Sequence, residues 1–304
     1  MNPFNQTKLY GHNNKLLELI NLYKNDKLPN KILFSGQKGI GKSTLALHLI
    51  NYILSVDEEF SYDVKNCSIN ESNRTFRLIQ NKSNPNFFFI NIDVQKKFID
   101  IEKIRNLMKN LNKSSLNNKP RFVFIDNIEL LNIYSINALL KVLEEPTKNT
   151  FFILVNNNKK ILSTLKSRCL DFKIGLSNEN VAYVCNKLFN INIDHYFNKE
   201  LLDYYITPGK IYNLYKFSKD HDVDLRNLDL KNLLILIISE GFYKKDILLK
   251  IMTFDLIELY LLKKTSLIQN NVFNYLLNKI SNTRRYNLDE DSLLLEVERK
   301  LLNG

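Results

Sequence analysis

The sequence predicts an α/β protein: a parallel-sheet domain that carries a phosphate loop, followed by helical domains. Three observations predict it. Residues 36–44 read Gly-Gln-Lys-Gly-Ile-Gly-Lys-Ser-Thr and fit the pattern G-x-x-x-x-G-K-[ST] with no departure. Apolar, strand-like runs alternate with helix-period segments through residue 174, the order of a parallel sheet covered on both faces. From Val223 onward proline is absent, and Leu, Ile and Lys recur at helical spacing.

The balance of 44% hydrophobic and 25% charged residues over 304 positions is that of a globular chain able to bury a core. A net charge of +11 favours an acidic partner, with nucleic acid first among them; a Lys-, Asn- and Ile-rich composition bias gives the same total with the charge spread evenly. Cys67, Cys169 and Cys185 show no metal-ligand spacing, so neither a disulfide framework nor a structural zinc is expected. The first residues, MNPFNQTKLYGHNN, hold no apolar run of the signal-peptide kind. No segment approaches the roughly 20 apolar residues that span a bilayer. A cytoplasmic protein is expected.

Taken in order, residues 13–24 form a helix with Leu16, Leu17, Leu19, Ile20 and Leu22 supplying its apolar side, broken at Asp26-Lys27-Leu28-Pro29. Residues 31–35 are a buried strand, and 45–54 have helical spacing, so the glycine loop sits between strand and helix. Residues 55–86 are polar and weakly periodic. They read as an inserted surface segment with one helix near 74–79, closed by the turn Asn84-Pro85-Asn86. Strands follow at 87–92, 121–126, 150–155 and 170–174. Helices follow at 99–111, 133–143 (stopping before Pro146) and 161–166, with a loop at 114–119. Ser177 is the expected N-cap of a helix through Phe189. Two further helices over 196–220 are interrupted at Thr207-Pro208-Gly209, and the remainder is all helical.

The chemistry follows from residue types. Gly36, Gly39 and Gly41 let the backbone of Gln37, Lys38 and Ile40 wrap an anion, and the helix beginning at Lys42-Ser43-Thr44 adds its positive end. Lys42 is expected to reach the outer phosphates of ATP, and Ser43 to ligate Mg²⁺. Asp126, ending an apolar strand, is the expected second Mg²⁺ acid. Hydrolytic proteins of this class usually follow that Asp with Glu; here the residue is Asn127, whose amide cannot serve as a general base. Glu129 is expected to point elsewhere. Nucleotide binding with little or no hydrolysis is therefore predicted. Asn156 ends the fourth strand and is either a turn residue or a contact to the terminal phosphate. Arg168, in Ser167-Arg168-Cys169, is either a surface ion-pair partner or an arginine offered to a neighbour's phosphoryl group.

LYGH, the glycine loop, RFVFID, NALLKVLEEP (137–146), ILVNN and KSRC occur here in the order found in clamp-loader AAA+ proteins. The chain most resembles the delta-prime subunits of bacterial DNA polymerase III. The resemblance covers residues 1–174 well, and TPGK and NLDEDSLLLEV are weaker echoes. It implies an AAA+ domain over 1–174, a small helical lid over 175–222 and a helical collar over 223–304 that assembles subunits into a ring. It implies a stator rather than a motor, partnered by motor and delta-like subunits, with the sliding clamp a further candidate partner, acting on primed DNA through its phosphates. Arg168 matches the family's trans-acting arginine and Asn156 its first sensor. Where many relatives have a four-cysteine zinc module, 55–86 contains only Cys67. The second sensor falls near Pro208-Gly209-Lys210 without its usual Arg. The rival readings are an ATP-hydrolysing motor of the same assembly, a small phosphotransferase and a stand-alone DNA-binding module. Asn127 opposes the first. No cluster of acid or base residues over the loop supports the second, and no recognition helix or stacking aromatics support the third.

Overall fold

The computed structural model describes residues 1–93, 96, 98–113, 117–145, 149–202, 206–263, 270–286 and 288–302. The start of the loop expected over 114–119 and the helix stop at Pro146 lie outside them. The chain forms two compact bodies: Met1–Val184 with Thr207–Gly209, and Cys185–Ile206 with Lys210–Gly304.

In the first body the elements run α1 Asn13–Lys24, β1 Lys31–Ser35, α2 Lys42–Leu54, α3 Arg74–Gln80, β2 Phe87–Ile90 and α4 Ile101–Leu111. They continue with β3 Arg121–Ile125, α5 Ile133–Glu144, β4 Thr150–Asn156, α6 Ser163–Lys166 and β5 Leu170–Lys173. Helix α7, Asn178–Phe189, contains the boundary between the bodies, and Ser177 caps it by accepting from the Asn180 N–H at 3.3 Å. The strands form one sheet in the order β2-β3-β4-β1-β5, with every pairing parallel. The expected α/β architecture is present.

Both faces of the sheet are covered, which is why its strands read as unbroken apolar runs. On one face Leu33, Val123, Ile125, Phe152 and Leu154 pack under Ile104, Leu107 and Leu111 of α4 and Ile136, Leu139 and Leu143 of α5. On the other, Ile32, Phe34, Phe122, Phe124 and Ile153 are fully buried, and Phe122 stacks on Phe151 at 5.4 Å between ring centres. Each such side chain contributes about 1.5–3 kcal/mol of burial free energy. The register sets Ser35 opposite Asn156 and opposite Lys173, so β1, β4 and β5 end at one level.

Residues 55–86 contain α3, and most of their polar residues are exposed, as a surface segment requires. A few face inward. Asn73 accepts from the Phe76 N–H and from Asn51, and donates to the Phe60 carbonyl at 2.6 Å. Glu58 accepts from the Thr75 N–H and hydroxyl, and Ser55 accepts from the Tyr62 N–H. Asn51, Ser55, Asn73 and Thr75 are all buried. The N-terminus joins this unit through Leu9 N–H to the Cys67 carbonyl and Ile69 N–H to the Thr7 carbonyl.

In the second body the helices are α8 Ile193–Tyr196, α9 Lys199–Leu202, α10 Pro208–His221 (its first two residues in the first body), α11 Leu230–Ser239, α12 Ile247–Lys263, α13 Asn270–Tyr286 and α14 Glu290–Val297. Asp229 caps α11 through the Asn232 N–H at 2.7 Å. Leu233, Leu234 and Ile237 of α11, Ile257 and Leu261 of α12, and Leu293 and Leu294 of α14 are fully buried.

His48 ties α2 to the inserted unit. Its Nε2–H donates to the Gln6 carbonyl at 3.2 Å, and in the neutral ring its Nδ1 accepts from the Tyr62 hydroxyl at 2.8 Å. Burial pushes its pKa down to about 4, against the smaller opposing effect of the Gln6 carbonyl. The unfolded chain takes up this proton near pH 6.5 and the folded chain only near 4, so stability is full above about pH 7. It is lost as pH falls, by up to about 3 kcal/mol. Urea midpoints should therefore drop more between pH 7 and about 4.5 for the parent than for His48→Gln. Equal drops would show that His48 is not a buried neutral group.

Candidate functional site

The glycine loop leaves β1 at Ser35, and the Gly36 N–H extends the ladder by donating to the Asn156 carbonyl at 3.2 Å. A Cβ on Gly36 would lie 2.2 Å from the Ile174 carbonyl oxygen, so only glycine fits. Gly39 and Gly41 have φ of +86° and +93°, the left-handed region glycine adopts freely. Gln37, Lys38 and Gly39 are exposed, Ile40 is buried, and Ser43 and Thr44 are half-buried in the first turn of α2. The Ile40 carbonyl accepts from His12 Nε2 at 2.6 Å. A carbonyl partner requires the proton on that nitrogen, and burial holds His12 below the ordinary histidine range, with the Ile40 hydrogen bond opposing. Thr207-Pro208-Gly209 lies against the loop: the Gly209 N–H donates to the Gly39 carbonyl at 2.9 Å, and a Cβ on Gly209 would meet Gly39 Cα at 2.7 Å. Lys210 pairs with Asp255 at 3.5 Å.

Lys42 is buried, and its ammonium donates to the Gly36 carbonyl at 2.9 Å, the Gln37 carbonyl at 2.5 Å and Asn157 Oδ1 at 3.0 Å. Burial lowers its pKa to about 8, while the charges of Asp126 and Glu129 oppose that shift. Asp126 follows β3. Burial raises its pKa, and hydrogen bonds from the Ser43 side chain and the Asn127 N–H pull the other way. Asn127 has φ +57°, and the tight turn Ile128–Leu130 that follows brings Glu129 back toward the loop. Glu129 Oε1 accepts from Asn157 Nδ2 at 2.8 Å, and the same amide nitrogen donates to Asn127 Oδ1 at 2.8 Å. The expectation that Glu129 points elsewhere is corrected: a left-handed residue reverses the chain after Asp126.

The structure thus brings together the loop, Ser43, Lys42 and Asp126. Asn156 joins them through its backbone carbonyl, while its side chain closes a turn, bonding the Lys159 carbonyl at 3.0 Å and the Lys159 N–H at 3.2 Å. The side chain that reaches Lys42 is that of Asn157, one residue on. Arg168 lies elsewhere in the first body, after α6. It donates to the Thr164 carbonyl at 2.8 Å and pairs with Glu144, its side chain 33% exposed. His12 and Asn157 carry no role in the sequence reading, which turns Glu129 away and places Gly209 only near the second-sensor position. The LYGH, NNN and TPG stretches were the signals available for three of them.

A family model described as DNA polymerase III, delta subunit matches residues 11–177, more than half of the chain. The chain belongs to that family. It is 30% identical over 148 residues to the DNA polymerase III subunit delta' of Buchnera aphidicola subsp. Baizongia pistaciae, covering 46% of this chain and 42% of that one. It is 28% identical over 178 residues to the DNA polymerase III subunit gamma of Buchnera aphidicola subsp. Schizaphis graminum, covering 58% and 47%. The chain spans less than half the length of these relatives. Among solved structures, a DNA polymerase III gamma subunit-related protein of Thermotoga maritima is 19% identical with a TM-score of 0.45, covering 87% of this chain and 78% of that one.

The loop geometry sets a stability expectation. Gly39→Ala forces φ +86° on a side chain whose Cβ meets Thr207 Oγ1 at 2.7 Å, and should cost about 1–3 kcal/mol in urea unfolding. Gly175→Ala, with nothing within 4 Å of its Cβ, should stay within about 0.5 kcal/mol of the parent.

Proposed function

We propose that this chain is a delta-prime-like, non-motor subunit of a DNA polymerase III clamp loader. In this reading residues 1–174 are the AAA+ domain, 175–222 a lid and 223–304 a collar that joins motor and delta-like subunits in a ring. The loop, Gly36 to Thr44, binds ATP with Mg²⁺ but turns it over slowly or not at all, because Asn127 stands where a water-activating Glu is needed. Ser43 and Asp126 are hard oxygen donors already linked to each other by a hydrogen bond, a set that fits Mg²⁺. When bound, the ion would neutralise phosphate charge. Asn156 is read as the first sensor.

The observation that carries the stator role is Arg168. Its guanidinium lies at the surface, tied to Glu144 by an ion pair of the exposed kind. Such pairs contribute about 0–1 kcal/mol, so the arginine can exchange its partner for a neighbour's phosphoryl group at small cost. The net charge of +11 supports contact with the phosphates of primed DNA, with strong salt dependence and no sequence preference. A cytoplasmic location and contact with the sliding clamp belong to the same reading. Among the described residues no helix is long and apolar enough to cross a membrane.

One observation favours the motor reading: Glu129 supplies a carboxylate beside Lys42. Steady-state ATP turnover by the isolated chain separates the two readings, since a motor hydrolyses and a stator does not.

Arg168→Ala should leave assembly with the other subunits intact. The neighbouring ATP site it serves should lose about 10³-fold or more in rate, and the complex should lose that site's share of turnover. Lys42→Ala should reduce the same turnover less. An unchanged rate with Arg168→Ala removes the trans-arginine assignment, and a larger effect of Lys42→Ala makes the chain a motor.

A further inference from the structure

The ammonium of Lys42 has three N–H donors, and three acceptors meet them. Two are carbonyls of the loop itself, Gly36 and Gln37. The third is Asn157 Oδ1, from the turn after β4. The Asn157 carboxamide is not free to choose its orientation. Its two Nδ2 hydrogens go to Asn127 Oδ1 and Glu129 Oε1, both at 2.8 Å, and its backbone N–H faces Glu129 Oε2 at 3.4 Å. Reversing the amide would set its NH₂ against an ammonium and its oxygen against a carboxylate, so both ends reject the reversal. Asn127 is itself anchored, donating to Asn91 Oδ1 at 3.1 Å at the end of β2. A carboxylate behind the amide thus presents the amide oxygen to the one cation of the loop that a phosphate needs.

We infer that Asn157, positioned by Glu129 and Asn127, is an internal competitor for phosphate at Lys42, and that it sets how tightly the loop takes a nucleoside polyphosphate. The inference rests on the reading that the loop binds nucleotide. A phosphate oxygen that takes Lys42 must displace the amide oxygen, and the loop carbonyls can stay where they are. Asn157 therefore lowers affinity where a phosphate ligand would raise it. Glu129 acts through Asn157 as well as by its own charge.

Binding of a fluorescent ATP analogue with Mg²⁺ to the full chain tests this. Asn157→Ala should bind about tenfold more tightly than the parent, the equivalent of one charge-assisted hydrogen bond. A gain in affinity cannot come from a damaged fold. Unchanged or weaker binding overturns the inference, and weaker binding makes Asn157 a phosphate ligand instead. Glu129→Gln should also tighten binding, and its effect should shrink in the Asn157→Ala background. If the two effects simply add, Glu129 acts only as a nearby charge and the positioning role fails. A second readout needs no nucleotide. In the chain labelled with nitrogen-15 at lysine, the Lys42 ammonium signal, assigned with Lys42→Met, should exchange slowly with water in the parent and severalfold faster in Asn157→Ala. An unchanged exchange rate overturns the inference even if nucleotide binds. A faster rate with no nucleotide binding by any variant upholds the contact and removes the nucleotide reading.

Discussion

Parallel pairing of β1 with β4 in a register that sets Ser35 against Asn156 is the constraint on which the rest of the first body depends. The ladder does not stop at the strand ends, because the Gly36 N–H still bonds to the Asn156 carbonyl. The glycine loop and the 156–158 turn are therefore fixed to each other by backbone. β3 is paired to β4 with Ile125 opposite Leu154, so Asp126 emerges at the same edge. Three chemically different segments meet because buried apolar strands hold one register, and a one-residue slip would turn every side chain to the wrong face.

That edge then has to keep a cation in a poorly hydrated place. Desolvation disfavours the charged form of Lys42, and the carboxylates of Asp126 and Glu129 partly offset it. The remaining demand is met by hydrogen bonds. A buried ammonium with three donors needs three acceptors, or it pays the desolvation cost of an unmet charge. The loop supplies two and Asn157 the third. Asn127 meets the same demand, since it accepts from Asn157 and donates to Asn91 without adding another negative charge beside Asp126 and Glu129.

The strands and long helices were legible in the sequence because apolar runs and helical periods report burial directly. Strands 31–35 and 121–125 and the helix 13–24 are examples. The inserted unit was not legible in that way. Asn51, Ser55, Asn73 and Thr75 look like surface residues in a sequence, yet they are buried because the first three bond one another and Thr75 bonds Glu58. Pattern reading scores each residue against water and is blind to such pairing. At the site, the loop and Asp126 were legible from spacing. Glu129 was missed because one left-handed residue, Asn127, reverses the chain. The reach of Asn157 rather than Asn156 into the loop depends on where β4 gives way to a turn, and a run of three Asn does not mark that point.

Lys42 and Arg168 show how burial divides the work of two cations in one body. A buried cation must be given fixed partners by the fold, and whatever ligand it takes has to compete with them. Arg168 is partly exposed, and its ion pair with Glu144 is of the surface kind that contributes about 0–1 kcal/mol. The first can be tuned only through the groups that already hold it. The second is held by the Thr164 carbonyl and by an ion pair with Glu144 at the surface. Exchanging a partner of Lys42 means reworking the turn after β4, whereas exchanging Glu144 at Arg168 disturbs only a surface pair.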